Sequence, residues 1–235
     1  MQSISDALLL AFQLVLSFDR DLMEIVGLSL YVSLSATIIA CVIGIFFGAV
    51  LATTRFRGRS VCLVVVNALM GLPPVVVGLI VYLYLSRSGP LGFLGLLYTP
   101  TAMIIAQSIL ITPIVIALSR QVLEDLSVEF RDTFVSFRLS PFQTYATLTW
   151  EGRFALLTIA LAGFGRAIAE VGAVMIVGGN IDHLTRVMTT AIALETSKGN
   201  LPLALALGSV LVSLALLVNA VLHGVQSSSK RYAHV

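Results

Sequence analysis

Five apolar runs, over residues 25–52, 61–86, 99–118, 154–177 and 201–222, dictate what this 235-residue chain can become. Each approaches or exceeds the roughly 20 residues that an α-helix needs to cross a bilayer's hydrocarbon core. Within lipid every backbone N–H and C=O must be satisfied inside the segment, so such runs fold as helices. Charged residues are only 11% of the chain, against about 25% in soluble domains. The expected fold class is an all-α membrane protein. A single domain, residues 1–235, is expected, with a membrane core over 25–222 and no appended soluble domain.

Orientation follows from where the cations lie. With the N-terminus outside, the inner segments hold Arg55, Arg57, Arg59, Arg120, Arg131, Arg138, Arg153, Lys230 and Arg231. The outer ones hold Arg20, Arg87, Arg186 and Lys198, and Arg166 lies in a span. Nine against four favours N-out and C-in with five spans. Residues 119–153 then form a cytoplasmic loop and 223–235 a cytoplasmic tail. The apolar stretch 4–18 is too short to span, so residues 1–24 are expected to form an interfacial segment. It lacks a basic lead and a small-residue cleavage site, so a signal peptide is not expected.

Several spans carry internal signals. Gly44 and Gly48 form a small-xxx-small pattern that admits a neighbouring helix closely. Pro73 and Pro74 interrupt the second run, where they leave carbonyls without donors and kink or break the helix. Such a break can serve as a hinge or as packing. The Gly/Pro-rich stretch 87–98 suits turns. Within 178–200, a short amphipathic helix is expected over about 185–196. Arg166 and Glu170 sit four apart in the fourth run and would share a helix face. Intramembrane charges are costly and usually face the bundle interior or a water-filled path. The two residues therefore either border a path or gate, or neutralise each other as a structural pair. Cys41 and Cys62 lack any CxxC or Cys/His spacing, and the three histidines are scattered, so neither a metal site nor a disulfide framework is indicated.

Residues 121–150 are the longest polar stretch between the apolar runs. Glu124, Asp125, Glu129, Asp132 and the adjoining Glu151 are five of the twelve acidic residues. Val122, Leu126, Phe130, Phe134 and Phe137 recur at three- and four-residue spacing, which makes one amphipathic face. Ser140 then offers an N-cap oxygen and Pro141 suits the first helical position, so a second short helix starts there. A helix carried on a cytoplasmic hairpin can dock in a partner's groove. The other reading is a long loop lying on the membrane surface.

The run Asp132, Thr133, Phe134, Val135, Ser136, Phe137, Arg138, Leu139, Ser140, Pro141, Phe142, Gln143, Thr144, Tyr145 resembles the Glu-Ala-Ala loop of ABC-importer permeases. Asp132 stands where that family has Glu, Thr133 and Phe134 where it has two alanines, and Arg138 where it has Gly. Trp150-Glu151 stands for a Leu-Pro pair. The Arg138 departure leaves the backbone of that turn open. A second signature is similar to the permeases for molybdate, tungstate and sulfate: Gly165-Arg166-Ala167-Ile168-Ala169-Glu170-Val171-Gly172-Ala173, then Gly178-Gly179-Asn180-Ile181. Its wording, with Thr185 to Ile192 and the Leu72 to Gly78 stretch, is nearest to tungstate permeases.

The resemblance implies the transmembrane domain of a type I ABC importer. Asp132, Arg138, Ser140, Pro141, Phe142, Gln143, Thr144 and Tyr145 would couple to a cytoplasmic ATPase. Arg166, Glu170, Pro73, Pro74 and Asn180 would belong to the path or gate. An extracytoplasmic binding protein would deliver the oxyanion, and residence in the bacterial inner membrane is implied. No G-x-x-x-x-G-K-[ST] motif occurs, so this chain lacks a P-loop of its own and its energy source would be another subunit; the resemblance implies that ATP and Mg are bound by that partner ATPase. No G-x-S-x-G or H-E-x-x-H occurs either, so neither catalytic residues nor a cofactor is indicated. Five spans are few for a complete transporter, and a homodimer would place the path on its two-fold axis. Membrane lipid is the surrounding solvent, and no nucleic-acid partner is implied. The competing readings are a molybdate or sulfate permease, a self-sufficient anion channel or secondary carrier, and a membrane-embedded assembly factor.

Overall fold

In a computed structural model, residues 10 and 12–232 are described, and their regular elements are all helical. Helical backbone over 12–16 precedes α1, which takes in residues 20–24 of the expected interfacial segment; residues 1–9 and 11 of that segment lie outside the described residues, as does the end of the tail at 233–235. Ten helices follow: α1 (Arg20–Thr53), α2 (Arg59–Met70), α3 (Pro74–Leu85), α4 (Pro100–Glu129), α5 (Arg131–Ser136), α6 (Pro141–Glu151), α7 (Arg153–Ile168), α8 (Gly172–Gly178), α9 (Met188–Lys198) and α10 (Leu201–Tyr232). Three of them are long and apolar enough to cross a membrane, and the count rises to five when the pairs α2/α3 and α7/α8 each form one broken span.

Where the helices differ from the sequence reading, the cause is local. The second run is broken, one of the two outcomes expected of its prolines: α2 stops at Gly71, and Pro73 caps α3 with Pro74 in its first turn. The fourth run is two helices, not one, with residues 169–171 between them. α4 continues eleven residues past Leu118, because the polar segment after it contains no breaker before Phe130. α10 likewise runs on to Tyr232 in place of a separate tail from residue 223. The helix expected over 185–196 starts instead at Met188, since Thr185 is occupied elsewhere: its hydroxyl donates to the Gly178 carbonyl at 2.6 Å and accepts from the Ile181 N–H at 2.9 Å.

The chain divides into two units. The first holds the described residues up to Ala36 together with Pro73–Gln107 and Gly165–Asn219; the second holds Thr37–Leu72, Ser108–Phe164 and the described residues from Ala220 onward. The division sorts the connections as the arginine bias does. Stretches 87–98 and 178–200 fall in the first unit, and 53–60 and 119–153 in the second.

In the second unit, Gly44 and Gly48 of α1 meet α4. A Cβ on Gly44 would lie 2.6 Å from Cβ of Val115, and one on Gly48 would lie 2.9 Å from the Ile116 carbonyl oxygen. The small-xxx-small pattern thus serves packing within this chain. Gly48→Val is expected to destabilise the protein by about 1–3 kcal/mol, because backbone rather than a flexible side chain occupies the space. Thermal unfolding of the purified variant measures this.

In the first unit, α9 is tied to α1 by the Ser29 hydroxyl, which accepts from the Met188 N–H at 2.7 Å and donates to the Ile25 carbonyl. Nearby, His183 Nδ1 lies 3.1 Å from Glu24 Oε2. The Glu24 carboxylate holds the imidazole pKa above its ordinary value, with smaller contributions from Asp182 and Asp21. A histidine whose pKa rises on folding contributes its stability below the unfolded value and loses it as pH climbs through the raised one. Melting temperature should therefore fall across that window, and Glu24→Gln should flatten the fall.

Candidate functional site

Two places gather the residues that the sequence singles out. The first is the hairpin of α5 and α6 in the second unit. Ser140 and Gln143 form a full capping box: the Ser140 hydroxyl accepts from the Gln143 N–H at 3.3 Å, and Gln143 Oε1 accepts from the Ser140 N–H at 2.8 Å. Pro141 takes the first turn, where a missing N–H costs nothing. The helix runs on to Glu151, well past Tyr145. Leu148 is its buried residue, and Leu123 and Leu126 of α4 pack close to Gly152 at the helix end. Phe142 is 78% exposed at the capped end, while Thr144 and Tyr145 are half-buried. An apolar ring held in water by a rigid helix start is a ready docking element.

The expected amphipathic face is split between two helices. α4 ends at Glu129 and α5 begins at Arg131, with the Phe130 and Phe134 rings stacked at 5.9 Å across the junction. Phe137 falls off the face and is exposed. Asp132 lies exposed in the first turn of α5. Arg138 adopts φ 49°, the left-handed region. The position that is glycine in the resembled loop thus keeps a glycine-like backbone, at a cost of roughly 1–2 kcal/mol for an L-residue. Arg138→Gly is expected to raise stability by about that amount, read as an upward shift of the melting temperature.

The second place is the break between α7 and α8, in the first unit. Arg166 Nη1 meets Glu170 Oε2 at 2.7 Å, although Glu170 lies beyond the helix end rather than on a shared helical face. The pair is uneven: the Glu170 side chain is 5% exposed and Arg166 43%. The other carboxylate oxygen accepts from the Ala173 N–H at 3.3 Å, so one side chain closes both sides of the gap. Carbonyls at the break accept from side-chain donors. Gln107 Nε2 donates to Ala167 O at 3.0 Å, and the Thr189 hydroxyl donates to Glu170 O at 2.8 Å. A broken helix at membrane depth persists where such groups re-satisfy its backbone.

α3 packs on this break. A Cβ on Gly78 would lie 2.8 Å from Cα of Ala173, and one on Gly172 would lie 2.9 Å from Cγ2 of Val75. The helix that Pro73 and Pro74 open therefore lies against the helix that Glu170 caps. Asn180 is not part of this cluster. It sits past the far end of α8 at φ 51°, its Nδ2 reaching Thr190 O at 3.4 Å.

Sequence reasoning missed Gln107, Thr189 and Glu124. Gln107 carried a usable signal, as an amide inside an apolar run needs a partner. Glu124 is paired with Arg59 at 2.9 Å and with Arg120, and Arg59 Nε also donates to Leu51 O at 2.8 Å. This knot ties α1, α2 and α4 together. Arg120 stands four residues from Glu124, but Arg59 stands 65 positions away, beyond any periodicity. No cluster of His, Cys, Asp and Glu that could hold a metal ion occurs among the described residues.

Residues 40–230 match the family model described as "Binding-protein-dependent transport system inner membrane component". The chain is 41% identical over 226 residues to the tungstate uptake system permease protein TupB of Peptoclostridium acidaminophilum, covering 96% of this chain and 99% of that protein. It is 41% identical over 204 residues to a probable anion ABC transporter permease protein of Haloferax volcanii, covering 85% and 88%. It is 43% identical over 169 residues to TupB of Campylobacter jejuni, covering 72% and 71%. A multi-pass helical chain with broken spans and a capped hairpin helix, matched over most of its length, belongs to the family of inner-membrane components of binding-protein-dependent transport systems.

Proposed function

We propose that this chain is the permease subunit of an ATP-driven importer and forms the membrane path for a tetrahedral oxyanion, tungstate. The near full-length likeness to permeases named for tungstate carries this reading. The chain is non-catalytic. A separate cytoplasmic ATPase binds ATP and Mg and seats on the capped start of α6, with Phe142 as its anchor. A binding protein on the outer side delivers the anion, and two copies of this chain frame the path. The break braced by Glu170, Arg166, Gln107 and Thr189 is the mobile element of the gate: a helix already interrupted can change direction without breaking further backbone hydrogen bonds. Arg166, half-exposed, offers the passing dianion a contact weak enough to release it.

Uptake of labelled tungstate, molybdate and sulfate in cells with and without the chain tests the assignment. Loss of tungstate uptake on deletion, restored by expression of the chain, is the expected result. Loss of molybdate or sulfate uptake alone would move the assignment to that anion, and uptake unchanged for all three would overturn it.

A further inference from the structure

A cavity of about 650 Å³ opens in the second unit, walled by Arg55, Arg59, Glu124, Val128, Arg131 and Val135 among others. Three arginines face a single carboxylate in this lining. Glu124 is already held by Arg59 and Arg120, so its charge is spent. Neither Arg55 nor Arg131 makes an ion pair among the described residues. Guanidinium groups gathered without counter-charge suit a phosphate oxyanion, which they grip with paired N–H donors. Arg55 and Arg59 follow directly on the first apolar run, so the cations sit where α1 leaves the membrane. The flanking surface is apolar. Val128 and Val135 are exposed, and α2, which Arg59 opens, has no buried residue, leaving Val61, Val64 and Val65 bare. A free phosphate would use the arginines but not this apolar flank. An anionic amphiphile uses both.

We propose that the cavity binds the phosphate headgroup of an anionic phospholipid of the leaflet on this side, through Arg55 and Arg131, beside the Arg59–Glu124 pair, with its acyl chains along α2. Thr144 of α6 also lines the cavity, so the bound headgroup braces the hairpin that carries Phe142. Lipid charge is thereby a condition for a well-positioned docking helix.

The test uses the full-length protein in nanodiscs of phosphatidylcholine mixed with phosphatidylglycerol, with native mass spectrometry reading the lipids retained. Preferential retention of phosphatidylglycerol is expected, weakened roughly fivefold each by Arg55→Ala and Arg131→Ala. Arg131→Lys should keep most of it, which separates lost charge from misfolding. Arg57→Ala removes the same charge from the same turn but lies outside the cavity, and should change nothing. Equal retention of both lipids, equal loss in Arg57→Ala, or displacement of the lipid by millimolar inorganic phosphate would each overturn the proposal. Loss of ATPase association in lipid-free detergent upon Arg55→Ala would also overturn it, since the cavity would then be a protein contact.

Discussion

Phe142→Asp is expected to weaken association with the ATPase by a factor of about a hundred or more while the chain still inserts and folds. An aromatic anchor at the centre of an interface is worth roughly 2–4 kcal/mol, and aspartate adds the cost of desolvating a carboxylate in its place. The ring is 78% exposed, so the fold loses almost nothing with it; surface changes of this kind stay within about 0.5 kcal/mol. The capping box uses Ser140 and Gln143 and leaves position 142 free of backbone duties. Pull-down of the ATPase with tagged permease reads the association, and protease protection reads insertion. Phe142→Leu should keep most of the binding. Undiminished recovery of the ATPase with Phe142→Asp would remove α6 from the coupling interface.

Glu170→Ala has the second large effect, and it acts through the break. The substitution strips Arg166 of its partner and leaves the Ala173 N–H without an acceptor. A hydrogen bond to a charged group is worth about 1.5–3 kcal/mol, and an orphaned buried donor costs about as much as a lost bond. Breaking a fully buried ion pair costs roughly 3–5 kcal/mol, but Arg166 at 43% exposed keeps part of its hydration. A loss of about 2–3 kcal/mol follows, together with loss of transport. Glu170→Gln retains an acceptor for Ala173 and should cost about half as much. Thermal unfolding of the purified variants reads the first effect and tungstate uptake the second. If Glu170→Ala melts with the unaltered protein, the carboxylate does not hold the break.

The fold was legible wherever solvent chemistry alone decides the outcome. Five apolar runs, each near the width of a bilayer, admit helices and nothing else. The Ser140-Pro141 start of α6 was legible because capping is a short-range interaction whose partners lie three residues apart. Helix ends elsewhere were less so. Met188 begins a helix later than the periodicity suggests because the Thr185 hydroxyl is bound to the Gly178 carbonyl, seven residues back and off any helical interval. Arg166 and Glu170 were paired from their spacing, and they do pair, but across a helix end rather than along a face. Glu170 was readable as a costly intramembrane charge. Its brace from Gln107 and Thr189 was not, since neither stands at a helical interval from it. Arg138 shows the reverse case. Its chemistry departs from the resembled loop, and its backbone angle agrees with it.

The most direct test of the account reconstitutes the chain in liposomes, alone or with its ATPase and binding protein, and follows labelled tungstate. Accumulation that requires all three components and ATP, and that disappears with Phe142→Asp, is the predicted result. Tungstate flux of equal rate through the chain alone, without ATP, would contradict it and mark the protein as a self-sufficient anion pathway.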